Sequence, residues 1–276
     1  MNRLYLKRLV ELALIEDLGF QNGPDADIFG NTPGSAMIEF QEEGIVAGLE
    51  AVVEVFRQLS PDVRVELLKK DGDCIQKGDK VVSLHGKIGE ILSGERTALN
   101  FLQHCSGIAT RTRNLVNRLP KQVKLLDTRK TVPGLRALQK YSVRIGGGYN
   151  HRYGLTDLLM LKTNQVRYFG SVKKTVEKAR KVYGHRLKIE VEVSTFKEFE
   201  EALYSQVDIV MLDNFSPEDV STAAGMRTDG FPLLEASGGI DEENIETFAK
   251  AGIDMISMGA LTHSVKVLRI HLVLGS

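Results

Sequence analysis

The chain has 276 residues, 42% apolar and 26% charged, enough for one large or two modest domains with a sizeable core. Its 36 basic and 36 acidic residues cancel. That argues against a general nucleic-acid or membrane-surface binder, because such proteins carry a basic excess. Cys74 and Cys105 are too few for a disulfide framework and lack metal-ligand spacing. In the opening NRLYLKRLVELALIEDLG the start is basic, but Glu11, Glu16 and Asp17 break any signal-peptide core. Leu6, Leu9, Val10 and Ala13 follow helical spacing there, which predicts an amphipathic helix. Nothing approaches the roughly 18 uninterrupted apolar residues of a membrane span, so a cytoplasmic protein is expected.

From about residue 20 to 95 the chain is turn-rich, with short alternating runs such as SAMIEF, GIVAGLE and VRVELLKK. DGDCIQKGDKVVSLHGKIGEI reads as strands joined by Gly and Asp turns. It resembles the barrel-sandwich segments of carrier domains but holds no Met-Lys-Met for biotin or lipoate, so a β-rich structural domain is expected. SGERTALNFLQHCSGIATRTRNLVNRL then has helical periodicity and bridges to the second half. From Val123 short apolar strands alternate with helices: VKLLDT, DLLMLK, KIEVEV, DIVMLD, PLLEAS and DMISMG. Between them lie GSVKKTVEKARKVYG, STFKEFEEALYSQ and DEENIETFAKAG. Strand ends at Glu192, Asp213, Ser237 and Gly259 fall 21, 24 and 22 residues apart, a spacing natural to βα units. Repeated βα units imply a parallel sheet, open or closed into a barrel. Only six strands are evident, which speaks against a full eight-stranded barrel.

In barrels of this kind the reacting groups sit at the carboxyl ends of strands. Those ends carry Asp127-Thr128-Arg129-Lys130, Lys162, Glu192, Asp213, Ser237-Gly238-Gly239 and Gly259-Ala260. EASGGI and SMGAL place small residues between strand and helix, leaving backbone N–H groups free for a phosphate monoester. Glu192 and Asp213 suit Mg²⁺ or sugar hydroxyls. Glu190 shares the strand parity of Glu192, so both can face inward. Arg129 and Arg152 can each grip a carboxylate bidentately, Lys130 and Lys162 act as point charges on phosphate, and His151 can donate to a carboxylate.

Between Asp127 and Leu155 six Lys or Arg and one His accumulate with no acid after Asp127. Arg136, Lys140 and Arg144 are four apart, opposite Leu135, Leu138, Ser142 and Ile145, and read as a solvated stripe. The cations flanking that helix are the functional ones. Pro133 and Gly134 help to start it, and Gly146-Gly147-Gly148 ends it with a turn that delivers His151 and Arg152.

The order and joint occurrence of ERTALNFL, HCSGIAT, DTRKTVPGLRALQKYSV, GGGYNHRYGL, IEVEV, VMLDN, EASGGI and MGALTHS resemble the quinolinate phosphoribosyltransferase family along nearly the whole chain. The resemblance implies an N-terminal α/β sandwich domain, residues 1–110, on which the tail 265–276 packs. It implies an incomplete parallel α/β barrel of six to seven strands over residues 111–264. The activity implied is decarboxylating transfer of the phosphoribosyl group from phosphoribosyl pyrophosphate to quinolinate, with Mg²⁺, giving nicotinate mononucleotide for NAD biosynthesis. Arg129, His151, Arg152 and Lys162 would surround the quinolinate carboxylates, and Arg96 would arrive from the partner subunit of a homodimer. Lys130 would sit near phosphoribosyl pyrophosphate, with Glu192 and Asp213 facing its ribose and metal. Ser237, Gly238, Gly239 and Gly259 would hold its 5′-phosphate. Where the family commonly reads Lys-Asp-Asn-His, this chain has Lys162-Thr163-Asn164-Gln165. Two other readings stay open on that account: a different acceptor, as in molybdenum-transport-associated relatives, or a catalytically silent anion-binding protein.

Overall fold

Helical spacing along the first segment turns Leu6, Val10 and Leu14 to one side, and the computed structural model buries all three on α1 (Arg3–Leu18). The structure describes residues 2–19 and 24–275, so residues 20–23 of the turn-rich stretch and Ser276 of the tail lie outside it. After α2 (Pro24–Phe29) come β1 (Pro33–Phe40), β2 (Gly44–Ile45), α3 (Leu49–Leu59), β3 (Arg64–Leu67), β4 (Cys74–Ile75), β5 (Lys80–Lys87) and α4 (Ile88–Val116).

Two compact units result: Met1–Asn114 with Thr131–Gly147 and Leu261–Ser276, and Leu115–Lys130 with Gly148–Ala260. In the first, alternation along β1 buries Ala36, Ile38 and Phe40 on one face. They join Leu6 and Val10 of α1 and Val52, Val55 and Phe56 of α3 in a single core. The antiparallel sheet runs β12-β1-β5-β3, where β12 (Ile270–Leu274) is the last element of the chain. Its register pairs Phe40 with Ile270 and Ala36 with Leu274. The run GIVAGLE does not stay extended: β2 is two residues long, and Leu49 opens α3. Helical spacing of Val52, Val55 and Phe56 onto the core outweighs the strand preference of a valine-rich segment. IGEI, at the end of the expected strand pair, likewise belongs to α4.

The second unit holds β6 (Lys124–Leu126). The chain then leaves it for α5 (Arg136–Ile145), which belongs to the first unit, and returns for β7 (Leu159–Leu161), α6 (Thr163–Phe169) and α7 (Val172–Tyr183). There follow β8 (Ile189–Val193), α8 (Phe196–Leu203), β9 (Ile209–Asp213), α9 (Pro217–Gly225), β10 (Leu233–Ser237), α10 (Ile245–Lys250) and β11 (Met255–Ser257). The short α11 (Ala260–His263) crosses back. All six strands are parallel, in the order β6-β11-β10-β9-β8-β7, a partial α/β barrel. Ile189, Val191 and Val193 of β8 are buried on one face while Glu190 and Glu192 occupy the other, the parity expected of them. Ser171, Thr195 and Ser216 cap α7, α8 and α9 by accepting from Lys174, Glu198 and Asp219 N–H.

On α5 the expected solvated stripe is corrected at its centre. Arg144 is exposed, but Lys140 is buried at 3% exposure. The helix is covered along Leu138, Gln139, Ser142 and Val143, a broader face than the apolar residues alone define. Among the described residues no helix is long and apolar enough to cross a membrane.

Candidate active site

Parallel strands deliver their carboxyl ends to one side, and here those ends border a cavity of about 290 Å³. The segment after β6 supplies Thr128, Arg129 and Lys130, β7 supplies Met160, and Lys162 follows directly after it. Glu192 comes from β8, Met211 and Asp213 from β9, Ser237 from β10 and Ser257 from β11. His151 and Arg152 complete the wall from the loop after α5.

Asp127 explains why that loop is held here. It is fully buried, and its Oδ1 accepts from His151 N–H (2.9 Å) and its Oδ2 from Asn150 Nδ2 (2.6 Å). Tyr149 bridges Leu126 in parallel fashion, extending β6 sideways. Asp157 folds the following turn by accepting from Tyr153 and Gly154 N–H. Arg152 Nη2 reaches Met160 Sδ at 3.5 Å. Burial, and then the charge of Arg129, pull its guanidinium pKa below the ordinary value. Two guanidiniums crowded this way favour an anion between them.

His151 Nε2 lies 3.2 Å from Glu190 Oε2 and 3.4 Å from Glu235 Oε1. Burial opposes its charge, yet the two carboxylates outweigh burial and push its pKa up to about 10. The Nδ1 contact pulls the other way: Arg152 N–H donates to it at 2.7 Å, which requires an unprotonated Nδ1. A proton on Nε2 is common to both descriptions. Among the described residues, His151, Glu190 and Glu235 are also the one group whose ligand atoms lie within 4.8 Å of one another.

On the opposite wall Lys162 Nζ pairs with Glu192 Oε2, and Thr163 Oγ1 donates to Glu192 Oε1 at 3.3 Å. Burial raises the Asp213 pKa, Glu192 raises it further, and the Asn214 side chain works against both. Asn214 has φ +58°, and its N–H donates to Ser237 O (2.9 Å). Gly238, at φ +87°, packs so closely on Asn214 that a Cβ would collide with its side-chain oxygen. Only glycine fits there. Ser257 Oγ donates to Ser237 Oγ (3.1 Å), Gly239 follows at φ +63°, and Gly259 follows β11 at the same strand end. Arg96 is exposed on α4 in the first unit and does not line this cavity.

The family patterns described as the C-terminal and N-terminal domains of quinolinate phosphoribosyl transferase match residues 108–273 and 17–106. The chain belongs to the quinolinate phosphoribosyltransferase family. A probable nicotinate-nucleotide pyrophosphorylase (carboxylating) of Bacillus subtilis is 45% identical over 98% of this chain and 93% of its own length. One of Methanocaldococcus jannaschii is 39% identical over 95% and 94%. The solved nicotinate-nucleotide pyrophosphorylase of Francisella tularensis superposes with a TM-score of 0.95 at 39% identity, covering 100% of this chain and 98% of that one.

Within the quinolinate phosphoribosyltransferase family, the departure after the lysine has a local structural account. Thr163 bonds Glu192, and Gln165 Oε1 turns back to accept from Lys162 N–H at 3.1 Å, capping α6. Glu235 went unnamed: its parity with Ser237 turns it inward, but nothing local in PLLEAS signals its remote histidine. Met160, Met211 and Ser257 could have been found by strand parity, each lying two residues before a strand-end residue already singled out.

Proposed function

We propose that this cavity transfers the phosphoribosyl group of phosphoribosyl pyrophosphate to quinolinate and releases pyrophosphate and CO₂, forming nicotinate mononucleotide. The observation that carries this reading is one cavity in which a crowded guanidinium pair, Arg129 and Arg152, faces a carboxylate pair, Glu192 and Asp213. Cations suit the acceptor's two carboxylates, and carboxylates suit ribose hydroxyls and a divalent metal. Arg129, Arg152 and Lys162 clamp the acceptor so that its ring nitrogen lies in line with the anomeric carbon, and His151, its ring N–H turned to Glu190 and Glu235, backs Arg152. Lys130 meets the pyrophosphate. Ser237 and the backbone of Gly238, Gly239 and Gly259 receive the 5′-phosphate.

The residues also fit Mg²⁺. Glu192 raises the pKa of Asp213, so the two carboxylates repel each other at the mouth, an arrangement that a hard dication relieves. Bound there, Mg²⁺ would neutralise charge on the departing pyrophosphate. Glu192 and Asp213 would hold it while orienting the ribose. Once the acceptor nitrogen is alkylated, its positive charge stabilises the carbanion left by CO₂ until a proton from solvent takes the place of the lost carboxylate, so the chain's task is to hold the ring still. A second copy would complete the pocket with Arg96, whose exposure on α4 leaves its guanidinium available. Multiply charged substrates of this size do not cross membranes unaided, which accords with a cytoplasmic location.

Purified protein mixed with quinolinate, phosphoribosyl pyrophosphate and Mg²⁺ should release CO₂ and nicotinate mononucleotide in equal amounts. Binding without either product would instead support an anion-binding protein. Asp213→Asn should lower turnover by about 10²-fold while quinolinate affinity persists. Full activity of that variant at limiting Mg²⁺ would remove Asp213 from the metal and ribose.

A further inference from the structure

Glu190 and Glu235 stand on β8 and β10, either side of β9, at 0% and 1% exposure. Two carboxylates this deep are costly unless something charged or protonated meets them, and apolar side chains would pack the same space more favourably. The Glu190 oxygens, Glu235 Oε1 and His151 Nε2 meet as close charge contacts rather than as hydrogen bonds of good geometry. What both approach is His151 Nε2, at 3.2 and 3.4 Å, in a side chain 7% exposed. A metal ion at this trio fits poorly. Nδ1 accepts from Arg152 N–H, so the ring's proton sits on Nε2, where a metal would have to bind.

The other end of the same dipeptide is also fixed, because Asp127 accepts from His151 N–H. His151 is therefore gripped at backbone and ring, and the next residue, Arg152, lines the cavity. We propose that Glu190 and Glu235 are positioning residues for the acceptor: by holding His151 Nε2–H they lock the His151–Arg152 step so that both side chains present a fixed face to an aromatic dicarboxylate. The charged groups around the ring are Glu190, Glu235, Asp127 and Arg152. The proposal rests on the functional reading above.

The test uses the full chain with Glu190→Gln, Glu235→Gln and the double variant. Each single variant should raise the KM for quinolinate about tenfold or more, with the KM for phosphoribosyl pyrophosphate and kcat changed by no more than about threefold. The melting midpoint should hold or rise, because an amide replaces a buried carboxylate. Histidine-labelled protein should show a slowly exchanging His151 Nε2–H resonance in the wild type that is lost or shifted in the variants. Unchanged KM values, an equal rise in both, or no such resonance in the wild type would overturn the proposal. Should the double variant fail to fold, the single variants and the wild-type resonance decide. Should the wild type yield no nicotinate mononucleotide, the functional reading fails, and the resonance still judges the grip on His151.

Discussion

Arg152 combines a partly desolvated guanidinium with a second one nearby, and an anionic partner relieves both penalties. Arg152→Ala should therefore weaken quinolinate binding by about 2 kcal/mol, or about thirtyfold, with little change for phosphoribosyl pyrophosphate. Calorimetric titration of both ligands separates this from general damage. His104 shows the reverse state, a histidine held neutral. Gln139 Nε2 donates to its Nε2 at 3.0 Å and to Thr262 O at 2.9 Å, and burial lowers the His104 pKa below 6.5. The unfolded chain then takes up a proton at higher pH than the folded one. This contribution to stability is complete above the ordinary histidine range and is lost as pH falls from about 6.5 toward the lowered value. Melting curves at pH 7.5 and 5.5 should show a larger drop for the wild type than for His104→Gln. Residues of this second sort resist sequence reading. Arg129 announces itself as a charge at a strand end and Arg152 as one delivered by a glycine turn, whereas the neutrality of His104 and the burial of Lys140 depend on neighbours that only the fold brings near.

At the level of elements, one device recurs at the end of the sheet away from the cavity. Asp208, just before β9, accepts from Ile189 N–H (2.7 Å) and pairs with Arg180 (2.8 Å). Asp254, just before β11, accepts from Leu234 N–H (2.8 Å) and pairs with Arg227 (2.5 Å). Each aspartate pins a strand to its predecessor and ties in the segment that leads into that predecessor, α7 through Arg180 and the turn after α9 through Arg227. Asp254→Ala strands a guanidinium whose side chain is 9% exposed, which should cost about 3 kcal/mol. Denaturant melts would register that loss while quinolinate affinity stays constant, since neither group approaches the cavity. The strands and helices of this unit were legible because each βα step is local and repeats its pattern. Their lateral order was not, because nothing in one step names its neighbour. α3 went unnamed for a different reason: Val52, Val53 and Val55 favour a strand locally, and only the core beneath Val52 and Val55 selects the helix.

For the whole molecule, the proposed role of Arg96 makes subunit mixing the deciding experiment. Arg96→Ala and Lys162→Ala homodimers should both be nearly inactive. A heterodimer gathers both defects in one pocket and leaves the other intact, so mixing should restore about half of the wild-type activity per heterodimer. No recovery despite demonstrated exchange would place Arg96 in its own chain's service or in none. The way the chain weaves between its two units bears on any attempt to divide it. Residues 131–147 depart from the sheet unit directly after Lys130 and rejoin it just before His151. No single cut of the gene yields both units whole, since the first also needs its last strand, β12, from the far terminus. A fragment spanning residues 115–260 would carry α5 as an orphan, with Leu138 and Ile145 stripped of the core they pack in and the arms of the proposed anion clamp at either end of a sticky, unsupported loop. Truncation should thus produce aggregates rather than a free-standing barrel, and the smallest sequence able to keep the proposed clamp in order is close to the full chain.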